Sequence, residues 1–354
     1  MCSLVAARNK SGVRVLRVRD FEVELATSWD TFVDAHPQGT FFHRSGWREV
    51  LEGALGHRTH YMVAEQDGAV CGVLPLVHTK SLLFGNKLSS LAFSAHAGPL
   101  GTDDATIQAL YEAASRRAHE LGVGAVEYRL LAPTGQPRVT KNLYETFSKT
   151  IHADADANML AIRSKQRNVI RKGIKNGLVG RVGSVSTFYG VYAESVRNLG
   201  TPVFPRALFD GIAATFGDAI EIVIAELEGR PISAAMNFYY REQVCPYYWG
   251  GTHAARGLNG NDFLAFEIMG RAAARGSTLF DFGRSKRDTG PYQWKTNLGF
   301  EPTPLYYEYE LVRDREMPDI NPLNPKYRLF IDCWKRLPLP IAGMLGPWLS
   351  RSLG

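Results

Sequence analysis

One pattern of elements is written twice along this chain, and that repetition constrains the fold more than any other feature. The stretch from Tyr61 to Val77 reads as strand, turn at Gly68 and strand, followed by a helix from Asp104 to about Leu121 and a strand from Gly124 to Leu131. The stretch from Glu221 to Tyr240 repeats it with a turn at Gly229, then a helix from Asp262 and a strand at Thr278. Gly122 and Gly276 stand where each helix has to stop. A chain of 354 residues with this grammar predicts a duplicated α/β (α+β) architecture, in which each copy is a mixed twisted sheet flanked by helices. We place the copies at 1–155 and 156–312, with a basic and apolar tail at 313–354.

The copies differ in where they carry charge. Copy one ends in Glu127-Tyr128-Arg129-Leu130-Leu131-Ala132-Pro133, whereas copy two ends in a stretch bearing Arg284, Lys286, Arg287 and Lys295. The second helix, capped by Asn261 and Asp262, carries Phe263, Leu264, Phe266, Ile268, Met269 and Ala272 and is expected to be mostly buried. The strand after it is read as Thr278 to Phe282, ending at Gly283 and opening into a basic loop. Backbone N–H groups at a helix start and fixed cations beyond the strand suit an acyl-transfer site, where an oxyanion develops.

Asp281-Phe282-Gly283, the basic Arg284-Ser285-Lys286-Arg287 and the pair Trp294-Lys295 resemble the second domain of the FemAB-like branch of the GNAT N-acyltransferase superfamily. The subgroup resembled is the FemAB-related proteins associated with exosortase/PEP-CTERM and exopolysaccharide systems, over roughly residues 20 to 312. The resemblance implies two tandem GNAT-like domains and an N-acyltransferase acting on an amino group of a cell-envelope, peptidoglycan or exopolysaccharide precursor. It implies Lys295 as the catalytic charge stabiliser. Asp281 and Tyr292 are candidates for proton relay or orientation, with a structural salt bridge from Asp281 to Arg284 or Lys286 as the stronger reading of that carboxylate.

Substrate-contact candidates are Arg44, Tyr248, Trp249, Arg284, Lys286 and Trp294, together with Arg167 and Arg171 of the helix around Asn158 to Gly177. There Arg163, Arg167, Arg171 and Lys175 form an i, i+4 stripe of like charge, and Ile162, Ile170 and Ile174 are expected to face the core. Phe42 and Trp47 are read as core. Acetyl-CoA-using relatives show an Arg/Gln-x-x-Gly-x-Gly/Ala loop before the central helix. Here it is the shortened Arg256-Gly257-Leu258-Asn259-Gly260-Asn261, so Gly257, Gly260 and Asn261 are the cofactor-phosphate candidates and both acyl-CoA and aminoacyl-tRNA stand as co-substrates.

Net charge +6 favours anionic partners, and no helix-turn-helix, RNP or zinc motif points to DNA. Four scattered cysteines and the lack of a secretory or spanning apolar run lead us to expect cytoplasmic catalytic domains without a metal or tightly bound cofactor. The tail mixes Leu329, Phe330, Trp334, Met344 and Trp348 with Lys335, Arg336 and Arg351, a mix that suits a membrane surface or partner groove and equally a helix packed on the chain's own core, and its prolines argue against one long amphipathic helix. A non-catalytic binding module for an anionic glycan or lipid-linked precursor is the alternative to the enzyme.

Overall fold

Each copy builds the same parallel crossover: strand, helix, and a second strand laid beside the first. In copy one, Gly85–Ser90 leads through the helix Asp104–Leu121 to Ala125–Leu130, paired parallel from Lys87↔Ala125 to Ser89↔Glu127. In copy two, Gln243–Gly251 leads through the helix Gly260–Ala274 to Leu279–Lys286. The molecule is described here by a computed structural model covering residues 15–81, 85–317 and 325–351, with side chains in the last segment from residue 330. Residues 1–14 with Cys2, the opening of the tail and the Leu329 side chain lie outside the described residues.

The described strands form three sheets. Leu16–Asp20, Met62–Gln66, Ala69–Leu74 and Leu100–Gly101 make a small antiparallel sheet. A second contains Arg58–Thr59, Leu76–Ser81, the copy-one crossover strands, then Tyr306–Leu311 and Val139–Lys141. A third contains Val179–Val182, Ile220–Leu227, Arg230–Tyr240, the copy-two crossover strands, then Tyr144–Thr150 and Glu301–Pro304. The turn glycines Gly68 and Gly229 take φ of 83° and 77°, and the helix stops Gly122 and Gly276 take 61° and 87°, a region open to glycine at little cost.

The two copies exchange their last strands. Tyr144–Thr150, from within 1–155, pairs antiparallel with Leu279–Lys286 of copy two, and Tyr306–Leu311, from within 156–312, pairs antiparallel with Ala125–Leu130 of copy one. Phe147 accordingly lies fully buried beneath the copy-two helix with Leu264, Ile268, Phe280 and Phe282. A second core joins residues of both copies outright, with Phe41, Phe42 and Trp47 packed on Phe238 and Phe216. Phe42 and Trp47 are core residues, as their pattern predicts.

Four local expectations change. The strand expected to end at Gly283 continues to Lys286, because Tyr144–Thr150 supplies pairing partners for Arg284, Ser285 and Lys286, and Lys295 sits in a helix, Gly290–Asn297, rather than a loop. The central helix starts at Gly260 behind Asn259, which takes the left-handed φ of 60°; Asn261 and Asp262 fall in its first turn rather than capping it. Ile162 and Ile170 are buried, but Ile174 is 47% exposed, since the helix Ser164–Lys175 packs on Phe263 through Gly173 on the other side of its last turn.

Because each of the two larger sheets needs a strand from the other copy, the halves should unfold together. Phe147→Ala is expected to cost about 3–5 kcal/mol and to move a single midpoint, followed in denaturant by both tryptophan fluorescence and far-UV circular dichroism. Two transitions, only one of them displaced, would contradict the shared core.

Candidate functional site

The copy-two crossover strands part almost at once. Gln243 pairs with Leu279 and Val244 with Phe280, and no further parallel pair follows. On the other side of Leu279–Lys286, the pairing to the exchanged strand slips between Thr146 and Ser148, opposite Phe282 and Gly283. Backbone groups freed by these two irregularities must find other partners. Lys295 supplies them: its buried ammonium donates to the carbonyls of Phe282, Gly283 and Arg284 at 2.8, 3.0 and 3.2 Å. Burial lowers its pKa to about 8, although nearby Asp281 pulls upward.

Asp281 is placed where the strands diverge. Its carboxylate accepts from the Gly283 N–H at 2.7 Å, the Gln243 side-chain amide at 2.9 Å and the Thr146 hydroxyl at 3.1 Å, so the exchanged strand completes its surroundings. Among the described residues the expected salt bridge from Asp281 to Arg284 is not made; Arg284 instead donates to the Tyr307 hydroxyl at 2.8 Å and lies over the Tyr144 ring, which Lys286 also approaches. Asp281 faces a cavity of about 280 Å³ that also takes in Cys245, Gln243, Tyr240, Thr40 and His96. Burial raises the Cys245 thiol pKa well above its ordinary value, which keeps it protonated.

His96 is the residue that sequence reasoning misses. It comes from copy one, in the small-residue run Ser94-Ala95-His96-Ala97-Gly98, and only that run, with room for a ring, marks it. Its Nδ1 is buried without a hydrogen-bond partner among the described residues. Burial lowers its pKa below 6.5 despite the opposing charge of Asp281, so it is a neutral imidazole at neutral pH. A buried charge cluster fixes its loop. Lys87 and Arg129 each reach Glu127 at 2.6 Å, Arg129 donates to the Ser94 carbonyl at 2.8 Å, and the Tyr307 hydroxyl donates to the Ala95 carbonyl at 2.6 Å. Burial alone would raise the Glu127 pKa, but Arg129 and Lys87 hold it well below the usual carboxylate range.

The remaining candidates do not gather at this cavity. Tyr292 packs its ring on Phe147, and nearby Glu145 raises its pKa. Arg44 lies 3.5 and 3.6 Å from Asp30 and Asp34. Tyr248 is buried against Phe209 and Tyr192. Trp249 and Trp294 stack edge-on at the start of the central helix, where Trp249 donates to Asn261 at 3.0 Å and Trp294 donates to Asp262 at 2.8 Å; Gln166 also donates to Asp262. Gly260 is packed where a Cβ would meet Ile232 and Ser233 at 2.8 Å, while Gly257 faces open space. Arg167 donates to the Leu160 carbonyl at 3.1 Å and Arg171 is exposed. Among the described residues no group of His, Cys, Asp and Glu stands together as a metal site.

Residues 162–296 match the acetyltransferase (GNAT) domain family. FemX is similar in structure, 14% identical, with 89% of this chain and 100% of that one covered at a TM-score of 0.63. So is the C-terminal domain of a putative lysylphosphatidylglycerol synthetase from Agrobacterium fabrum, 14% identical, covering 80% and 91% at 0.55. A tandem GNAT protein from the clavulanic acid biosynthesis pathway is 11% identical and covers 83% and 98% at 0.52. At these identities the likeness is one of fold. No curated protein matches the chain. The domain match thus places an acetyltransferase (GNAT) domain at residues 162–296, in a chain whose tandem sheet-and-helix copies share the fold of these proteins.

The lowered pKa of Lys295 has a sign that can be tested. An unfolded chain holds this proton up to its ordinary 10.5 and the folded one only to about 8. The resulting penalty is complete below pH 8 and disappears as pH rises towards 10.5. Wild type should therefore gain stability relative to Lys295→Met by up to about 3 kcal/mol across that window, read as the pH slope of the difference in unfolding free energy. A flat difference would show an ammonium without the burial described.

Proposed function

We propose that the protein is an N-acyltransferase whose reaction takes place at the cavity shared by Asp281 and His96. The observation that carries this reading is the meeting, at the parting of two strands, of a hydrogen-bonded carboxylate and a neutral imidazole from the other copy. An acceptor amine attacks the donor's acyl carbonyl, forming the C–N bond and breaking the bond to the leaving oxygen or sulfur. His96 takes the proton lost by the amine and returns it to the leaving group, while Asp281 stabilises the imidazolium that forms between these steps. Lys295 is a positioning residue: by tying up three carbonyls it sets the bend that places Asp281.

The acceptor we infer is an amine on a cell-envelope, peptidoglycan or exopolysaccharide precursor, handled peripherally at the inner face of the membrane; the exosortase-associated resemblance and the fold shared with FemX support it. Of the two donors, aminoacyl-tRNA is favoured over acyl-CoA. The start of the central helix, where a pyrophosphate would lie, is filled by the chain's own tryptophans and by Gln166 bonded to Asp262. Beside it the helix Ser164–Lys175 exposes Lys165, Arg171, Lys172 and Lys175, none of them in a salt bridge among the described residues, as a polyanion would require.

Single-turnover assays with aminoacyl-tRNA and with acyl-CoA test this directly. His96→Ala should lower kcat by about 10²–10⁴-fold with KM little changed, and the acid limb of kcat/KM in wild type should fall below pH 6.5. Full turnover by His96→Ala would remove the proposed base. A wild-type protein that binds precursor yet consumes neither donor would be the binding module instead.

A further inference from the structure

The C-terminal helix is oriented against the usual rule. Leu339–Ser350 buries Ala342, Gly346 and Ser350, with Gly346 set against the Val203 backbone where a Cβ would come within 2.8 Å. Its large apolar side chains point away: Ile341, Met344, Leu345 and Trp348 are 40%, 72%, 44% and 65% exposed. They recur at helical spacing and so make one continuous stripe on the outer face. A helix that docks through its small residues and turns its large ones outward leaves its apolar stripe to be covered by something else.

What covers it is indicated by the end of the same helix. Arg351, its C-terminal cap, lines a cavity of about 430 Å³ together with His57, Arg58, His78 and Lys80 of copy one. Among the described residues the lining contains no carboxylate. Among the described residues Arg58, Lys80 and Arg351 make no salt bridge, and the His57 Nε2 is buried without a partner. An open pocket with three guanidinium or ammonium groups suits a phosphate-bearing anion, while the His78 Nε2 is already engaged by the Asn86 side chain at 2.6 Å. A basic pocket running straight into an outward apolar stripe has the charge and polarity profile of a membrane boundary, with headgroup phosphates in the pocket and acyl chains along the stripe.

We propose that this face is a docking site for an anionic lipid bilayer, with Arg58, Lys80 and Arg351 receiving one phospholipid headgroup and Ile341, Met344, Leu345 and Trp348 entering the acyl boundary. It deepens the reading of a peripheral membrane position, yet it uses no residue of the Asp281 cavity, so the two can fail separately. Among the described residues no helix is long and apolar enough to cross a membrane, and the contact is therefore one of surface insertion.

Flotation of the full chain with phosphatidylcholine vesicles, with and without phosphatidylglycerol, tests the proposal. Binding is expected only with the anionic lipid, weakening as salt rises. Arg58→Gln, Lys80→Gln and Arg351→Gln should each weaken it about five-fold, and Trp348→Ser roughly ten-fold. These side chains are exposed, so the variants should keep the wild-type unfolding midpoint and the wild-type rate on a soluble acceptor. Wild type that ignores anionic vesicles, binds neutral ones equally, or covers the stripe by forming dimers in place of vesicle binding would overturn it. Loss of transfer by His96→Ala with vesicle binding intact would leave it standing.

Discussion

The reciprocal exchange of final strands is the constraint on which the rest of this structure depends. Without Tyr144–Thr150, the strand Leu279–Lys286 would have only two parallel pairs to hold it, and Asp281 would lose the Thr146 hydroxyl. Without Tyr306–Leu311, the Ala125–Leu130 strand of copy one would lose its antiparallel neighbour, and the loop carrying His96 would lose the Tyr307 hydroxyl. A duplicated domain could have left two independent units joined by a linker. Exchange instead makes the two larger sheets incomplete alone and brings groups from both copies to one cavity.

That cavity rests on an expensive foundation. Lys87, Glu127 and Arg129 are withdrawn from water, and Tyr309 also donates to Glu127 at 3.0 Å. Buried ion clusters of this kind seldom add net stability over apolar packing, because desolvation offsets the attraction between the charges. Their effect here is geometric: Arg129 and Tyr307 bind consecutive carbonyls in the loop of His96 and leave it little freedom. Lys295 acts alike on the other wall, where one ammonium replaces the sheet hydrogen bonds that a parted strand gives up. Both devices fix the positions of Asp281 and His96 at the cost of stability.

The likeness between copies hides a division of labour. Copy two carries the GNAT-matching sequence and the carboxylate, while copy one contributes the imidazole and the pocket of Arg58 and Lys80. The cations of copy two do not form one basic face. Arg284 is enclosed by tyrosines, Lys295 by carbonyls, and Arg287 is paired with Glu145, whereas the helix Ser164–Lys175 exposes Lys165, Arg171, Lys172 and Lys175.

Sequence by itself determined the duplication, the crossover of strand, helix and strand, and their punctuation, because turn glycines, helix stops and apolar period are local properties of the chain. Gly68, Gly122, Gly229 and Gly276 all stand where their sequence places them. It also singled out Asp281, although the strand expected to end just beyond it runs on to Lys286. Only the tertiary structure decided that Lys295 faces carbonyls, that Arg284 continues a strand, and that His96 faces Asp281. Those outcomes depend on the strand that arrives from the other copy, and strand pairing across such a separation is set by registry and burial, which no short window of residues contains.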